Sequence, residues 1–326
     1  MRSIEVPGTD LTISELVLGT MTFGMQVDEA AAGRMLDVCT DVGITMLDTA
    51  NAYSAGEAER MIGRLLASRP GRFAIATKAG MPHADAGRDA QLSRPALRNC
   101  LHASLQRLRV DRVDLFYLHQ PDRATPVEET LAAVDELVQE GKVGALGVSN
   151  FAAWQLTELR HVALAGGLTA PSVSQPLYNL VSRRIDEEYV ECAQAAGVVN
   201  VVYNPLGGGL LTGKHLPDEV PAAGGRFSQE GLGAMYRQRY WREDLFAAVT
   251  ELTGIAEQAG LTLIELALRW LLSRPHVGAV LLGASRVEQL EANVSSAEGP
   301  ALSADVIEAC EAVWQQLRGP APAYNR

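Results

Sequence analysis

Nearly every short apolar run in this chain ends in a residue that chemistry could use. Gly19 follows Val17-Leu18, Asp48 follows Thr45–Leu47, and Lys78 follows Phe73–Thr77. His119 follows Asp114–Leu118, Ser149-Asn150 follow Val143–Val148, and Gln175 follows Ser172–Ser174. Tyr203 ends the run that begins at Val199, and Gly283 follows Ala279–Leu282. Asp48, Lys78 and His119, with Tyr53 close behind Asp48, are side-chain types that commonly give, take or steady protons. Taken singly, an Asp after a strand is usually a helix cap and a Lys is usually solvated. Four such residues behind successive runs point instead to one shared pocket.

The elements that must position them follow from the spacing. The intervals from Gly19 to Tyr203 are 29, 30, 41, 30, 26 and 28 residues, each about one strand–helix unit. The last, 80 residues to Gly283, leaves room for a long loop and an extra helix. The eight runs read as parallel strands buried on both faces, and the segments between them read as amphipathic helices. In Thr125–Gly141, Thr125 and Glu128 predict a capping box, and Pro126 the first helical position. Leu131, Val134 and Val138 predict the apolar stripe, and Gly141 the stop. Ser93 opens a helix carrying Leu97, Leu101, Leu105 and Leu108. Ser3–Glu5 and Leu11–Ile13 read as a hairpin plugging a barrel floor. Eight alternations fit a closed barrel or a doubly wound sheet; in a (β/α)8 barrel the carboxyl ends of all the strands converge on one face.

Two phosphate motifs fail. No GxGxxG follows a strand, which argues against a dinucleotide-binding doubly wound domain. Gly208–Lys214 nearly completes a P-loop, but His215 stands where Ser or Thr must ligate magnesium. That backbone and Lys214 remain able to cradle a pyrophosphate without magnesium. No HExxH or Cys/His spacing suggests a metal. The 326 residues carry a net charge of −11 without a basic run, which argues against a nucleic-acid partner. Cys39, Cys100, Cys192 and Cys310 form no CxxC and read as inert thiols in a reducing cytosol. With no signal-peptide pattern and no apolar run long enough for a bilayer, a cytoplasmic protein with no membrane partner is expected. The Ala-, Gly- and Arg-rich style suggests a GC-rich bacterial genome.

At this point the sequence resembles the aldo-keto reductases along essentially its whole length. The carrying segments are Leu18-Gly19-Thr20-Met21, Asp48–Tyr53, Ala76-Thr77-Lys78, Asp114–His119, Gly147–Phe151 and Gly283-Ala284-Ser285. It is most similar to the aflatoxin aldehyde reductase branch, which includes succinic semialdehyde reductases. Tyr53–Glu59, Thr125–Thr130, Tyr203–Lys214, Gly225-Arg226-Phe227, Tyr236–Trp241 and Tyr324-Asn325-Arg326 carry that closer match. The resemblance implies one (β/α)8 TIM barrel domain over 1–326, with an N-terminal β-hairpin and a C-terminal extension.

It also implies NADPH-dependent reduction of an aldehyde or ketone. Tyr53 would donate the proton, Lys78 would lower the phenol's pKa, Asp48 would hold Lys78, and His119 would orient the carbonyl oxygen. For the cofactor it implies Gly19, Thr20, Met21, Asp48 and Gly283 at the strand ends. Ser149, Asn150 and Gln175 would bind the nicotinamide carboxamide, with Tyr203 stacked on its ring. Asn204, Pro205, Leu206, Gly207, Gly208, Gly209, Leu210 and Lys214 would wrap the pyrophosphate. Arg226, Ser285, Arg286, Gln289 and Asn293 would hold the adenosine end, and Arg286 suits a 2′-phosphate, favouring NADPH over NADH. Arg286 and Ala292 both depart from the branch's usual residues. Tyr236, Arg239 and Arg326 would bind an anionic group on the substrate, with His119 at the carbonyl; Met21, Phe23 and Trp241 read equally as an apolar wall or as core. A semialdehyde or dicarbonyl substrate and a homodimer or higher homo-oligomer are implied. Two other readings stay open: a ketoreductase tailoring a polyketide side chain or keto sugar, and a nucleotide-sensing subunit of a membrane channel.

Overall fold

The computed structural model describes residues 1–217, 219, 221, 225–228 and 232–320. The chain forms two compact units. The first comprises Met1–Pro176, Ile185–Tyr203 and His276–Glu291; the second comprises Leu177–Arg184, Asn204–Pro275 and Ala292–Arg326.

The first unit opens with the expected hairpin, β1 (Ser3–Glu5) and β2 (Thr12–Ser14), paired antiparallel with Ile4 opposite Ile13. Eight parallel strands follow: β3 (Leu16–Gly19), β4 (Met46–Asp48), β5 (Ala74–Ala79), β6 (Val113–Leu118), β7 (Val143–Ser149), β8 (Val173–Gln175), β9 (Val199–Val202) and β10 (Ala279–Gly283). Each pairs with the next, and β10 pairs back onto β3, closing a barrel. Between the strands run α1 (Glu29–Val42), α2 (Glu57–Leu66), α3 (Arg94–Leu108), α4 (Val127–Gln139), α5 (Ala153–Gly166) and α6 (Tyr189–Ala195). The second unit carries α7 (Leu232–Tyr240), α8 (Glu243–Gln258) and α9 (Leu263–Ser273); α10 (Val287–Ala297) follows β10, and α11 (Ala304–Arg318) comes last.

Strand periodicity explains why the polar residues converge. Side chains two apart in a strand share a face. A buried cluster inside the barrel contains Val17, Met46, Ala76, Leu115, Ala145, Val173, Val201 and Ala279, one from each strand. Val6 and Ile13 of the hairpin region join it, with Ile4 and Leu11 packed alongside, as expected of a floor plug. Two residues beyond the cluster come Gly19, Asp48, Lys78, Gln175 and Tyr203; four beyond come His119, Ser149 and Gly283. Every one therefore continues an inward-facing row toward the carboxyl end, where barrels of this kind place their chemistry. Tyr117 also faces inward. It fits because its neighbour in β7 is Gly147, where a Cβ would stand 2.5 Å from the Tyr117 ring.

The helix ends follow the sequence in part. Asp28 caps α1 by accepting from the Ala31 amide at 2.8 Å. Leu97, Leu101, Leu105 and Leu108 of α3 are buried, as expected. The capping box expected at Thr125 and Glu128 does not form. Thr125 Oγ1 donates to Asp122 Oδ2 at 2.8 Å, Pro126 stands at the cap position, and the helix begins at Val127. Asp122 wins because it also accepts from the Leu92 and Ala124 amides at 3.0 and 2.8 Å, which fixes it beside Thr125. The buried stripe is Leu131, Val134 and Leu137, and Val138 is only half-buried. Cys39, Cys100 and Cys310 are buried, and burial pushes their thiols up to about 12, which leaves little reactive thiolate.

Candidate active site

Asp48 and Lys78 are wholly buried. Lys78 Nζ donates to Asp48 Oδ1, and to the Thr49 carbonyl at 2.7 Å. Asp48 Oδ2 accepts from Gln175 Nε2 at 2.8 Å, which spends both carboxylate oxygens. Burial pulls the Lys78 pKa below the ordinary lysine value, and the Asp48 charge opposes that pull. Beside this pair the Tyr53 ring is half-buried, with its centroid 5.1 Å from Lys78 Nζ. Tyr53 begins a short turn, Tyr53–Gly56, in which Ser54 and Ala55 both hold φ at 50°. Left-handed backbone costs a non-glycine residue about 1–2 kcal/mol. Ser54 Oγ, donating to the Phe23 carbonyl at 2.7 Å, helps to hold the turn there. Strain of this kind concentrates where function fixes geometry.

The His119 and Tyr53 rings stand edge to face, with centroids 6.0 Å apart. Burial, with a smaller contribution from the Lys78 cation, lowers the His119 pKa to about 3. His119 is therefore a neutral imidazole at working pH, suited to hydrogen-bonding rather than to carrying charge. Its Nδ1 is buried and unpartnered among the described residues. Depression of this pKa has a consequence for stability. The unfolded chain binds a proton near pH 6.5 and the folded one does not, so stability is lost as pH falls below 6.5. Between neutrality and pH 5 the loss from this group is about 2 kcal/mol. Urea midpoints should therefore drop less on acidification in His119→Gln than in wild type. An equal drop in both would show that the imidazole titrates normally.

Around these four lie the expected nicotinamide residues. Ser149 Oγ donates to the Gln175 carbonyl at 2.9 Å. Asn150, at φ 62°, donates through Nδ2 to the His119 carbonyl at 2.9 Å, and its Oδ1 accepts from the Tyr203 hydroxyl at 2.8 Å. Thr20 Oγ1 donates to the Asp48 carbonyl at 2.9 Å, Gly19 is buried beside it, and Met21 is half-buried. Phe23, read as either apolar wall or core, is core. A hydroxyl, two amides and a half-exposed phenol ring at three adjacent strand ends suit a planar aromatic amide, so the donor set fits a nicotinamide. A Cβ at Gly283 would meet nothing within 4 Å. Ser285 N and Oγ donate to Gln289 Oε1 at 3.0 and 3.1 Å, and the Arg286 side chain is exposed.

The second unit carries the rest. Gly207, Gly208 and Gly209 hold φ at 58, 70 and 105°. Asn204 Oδ1 accepts from the Gly208 amide at 2.6 Å, and Asn204 Nδ2 donates to the Tyr240 hydroxyl at 2.8 Å. Pro205, Leu206 and Leu210 are buried, and Lys214 is exposed. A Cβ on Gly208 would stand 2.6 Å from the Tyr236 ring, so glycine is needed for that approach. Tyr236 is buried, with the guanidinium carbons of Arg226 and Arg239 lying 5.6 and 6.0 Å from its ring centroid. Trp241 packs on His215, Phe227 and Phe246. Asn293 is buried. Arg326 lies outside the described residues.

Sequence reasoning gave no role to Glu59. The structure buries it completely behind Lys78, on the apolar face of α2 with Ala58, Met61 and Ile62. An acid on a buried helix face was the signal that could have found it.

Among the described residues no helix is long and apolar enough to cross a membrane. Residues 15–315 match the model of the aldo/keto reductase family. The chain is 38% identical over 326 residues to human aflatoxin B1 aldehyde reductase member 2, covering 95% of this chain and 89% of that protein. It is 35% identical to a probable voltage-gated potassium channel subunit beta of rice, covering 97% of each. A glycerol dehydrogenase from Gluconobacter oxydans superposes with a TM-score of 0.80 at 29% identity, covering 99% of this chain and 98% of that one. Barrel, buried Asp48–Lys78 pair, adjacent phenol and near-complete coverage agree: the chain belongs to the aldo/keto reductase family, oxidoreductases that act on carbonyl groups.

Proposed function

We propose that this chain reduces a small aldehyde to an alcohol with NADPH, and that the substrate bears a carboxylate or a second carbonyl. The observation that carries the reading is a wholly buried lysine cation 5.1 Å from the ring of an accessible tyrosine. NADPH, when bound, supplies the hydride. Tyr53 gives its phenolic proton to the carbonyl oxygen as negative charge grows there. Lys78 makes that transfer easier by stabilising the phenolate left behind. Asp48 fixes Lys78 in place. His119, neutral, hydrogen-bonds the same oxygen and sets the carbonyl's orientation. Ser149, Asn150, Gln175 and Tyr203 would hold the nicotinamide. Asn204–Lys214 would take the pyrophosphate, and Arg226, Ser285, Arg286, Gln289 and Asn293 the adenosine end. Gly19, Thr20, Met21 and Gly283 would complete the cofactor set.

Tyr236 and Arg239 carry the substrate reading, because a guanidinium beside an aromatic ring suits a planar carboxylate. The test is NADPH oxidation followed by absorbance on succinic semialdehyde, its uncharged aldehyde analogue, a dicarbonyl and a bulky polyketide-like ketone. The semialdehyde is expected to be preferred over its uncharged analogue, with a KM raised about tenfold in Arg239→Ala (about 1.4 kcal/mol). Weak turnover of every small aldehyde beside tight NADPH binding would replace this reading with a dedicated biosynthetic ketoreductase. Likeness to the rice channel subunit favours a second, sensing role, which co-purification with a membrane partner would support. The chain is expected to act as a homodimer or higher homo-oligomer in the cytoplasm.

A further inference from the structure

Strand alternation places Thr77, between inward Ala76 and Lys78, on the outer side of β5, toward the helices. There Thr77 Oγ1 donates to Glu59 Oε1 at 2.5 Å. Glu59 Oε2 accepts from Arg107 Nε at 2.7 Å, and Arg107 Nη2 donates to Asp85 Oδ2 at 2.7 Å and to Ser104 Oγ at 3.3 Å. His83 Nδ1 lies 3.0 Å from Asp85 Oδ2 at the outer end of the chain. Glu59 is wholly buried, and the Arg107 and Asp85 side chains are 10% and 16% exposed.

A buried carboxylate is costly unless it is paired and hydrogen-bonded. Arg107 alone would satisfy Glu59 as a helix–helix tie between α2 and α3. But Arg107 is shared with Asp85, so two carboxylates face one guanidinium, and the buried one is the acid bonded to β5. Across the strand stands Lys78, whose one contacting carboxylate among the described residues, Asp48, has its second oxygen occupied by Gln175. The Glu59 charge acts on Lys78 through the strand without touching it, and it favours the charged lysine.

We propose that Glu59 is a positioning residue for the reduction, a second counter-charge that keeps Lys78 protonated and so sets the pH at which Tyr53 gives up its proton. This inference rests on the carbonyl-reductase reading above. The titratable groups around the Lys78–Tyr53 pair are Asp48 from β4, Tyr117 from β6 and His119 beyond it, with Glu59 of α2 behind β5 and Arg107 of α3 on the far side of Glu59. Asp85 and His83 stand behind Arg107. Of these, Asp48 and Glu59 supply negative charge close to Lys78. Removing a nearby negative charge makes every proton loss at the pair easier, so the sign of the effect does not depend on which partner titrates first.

The experiment compares wild type with Glu59→Gln, whose amide oxygen can still accept from Thr77 while the charge and the oxygen that accepts from Arg107 are lost. Two readouts are taken. One is the alkaline limb of kcat for aldehyde reduction. The other is the phenolate absorbance of Tyr53 without cofactor, isolated by subtracting the same titration of Tyr53→Phe. Both midpoints are expected to fall by half a pH unit or more, while KM for the aldehyde stays within twofold. Thr77→Val, which keeps both charges, is expected to leave both midpoints in place. If Glu59→Gln does not fold, the paired Glu59→Met/Arg107→Met variant, which strands no partner of that ion pair, is read by the same criterion. Unmoved midpoints in a folded variant overturn the proposal, as would an equal shift in Thr77→Val. Failure of wild type to reduce any carbonyl, with the phenolate midpoint still lowered in Glu59→Gln, would defeat the functional reading and with it the role in reduction, and leave only the coupling of Glu59 to the Lys78–Tyr53 pair.

Discussion

Tyr53→Phe is expected to lower kcat for carbonyl reduction by about 10²–10⁴, the range for loss of a positioned general acid, while the Kd for NADPH stays within twofold. The substitution deletes one hydroxyl and keeps the ring that packs edge to face with His119. No cofactor residue proposed above is altered, so binding and chemistry separate cleanly. Stopped-flow turnover beside a fluorescence titration of NADPH checks both halves. A mutant within threefold of wild-type kcat would remove Tyr53 from the reaction. Loss of NADPH binding in parallel would place its main role in the cofactor site instead.

Lys78→Met is expected to lose activity as completely and also to destabilise the protein. Asp48 would remain as a wholly buried carboxylate with its cation gone and only Gln175 donating to it from a side chain. Breaking a buried pair in this way costs about 3–5 kcal/mol. The double variant Asp48→Asn/Lys78→Met should recover most of that stability, because neither buried charge is left alone, and should recover none of the activity. Urea denaturation midpoints with kcat for the three proteins make the comparison. Full stability of Lys78→Met would show that the pair is not charged in the folded state. Recovered activity in the double variant would show that no cation is needed beside Tyr53.

Much of the site could be read before any coordinates, because a parallel barrel turns chain order into geometry. The eight strands lie at the eight apolar runs, and Asp48, Lys78, His119, Ser149, Gln175 and Tyr203 could be lined up from their spacing. Sequence periodicity suffices here: inward positions recur every second residue, and all carboxyl ends of the strands share one face. Errors arose where a choice depended on residues distant in sequence. Thr125 pairs with Asp122 rather than capping α4, because Asp122 is itself fixed by the Leu92 amide 30 positions earlier. Val138 yields its place in the stripe to Leu137 because the neighbouring layer decides which side of α4 is buried.

The amino-acid sequence by itself determined the barrel, its hairpin floor, the order of the polar residues along it and the family. Only the tertiary structure decided their electrostatics. Burial makes His119 neutral, pulls the Lys78 pKa down against the opposing charge of Asp48, and puts Glu59 behind the strand that carries Lys78. Charge in a protein is set by what surrounds it in three dimensions, and desolvation and through-space fields have no period in the sequence.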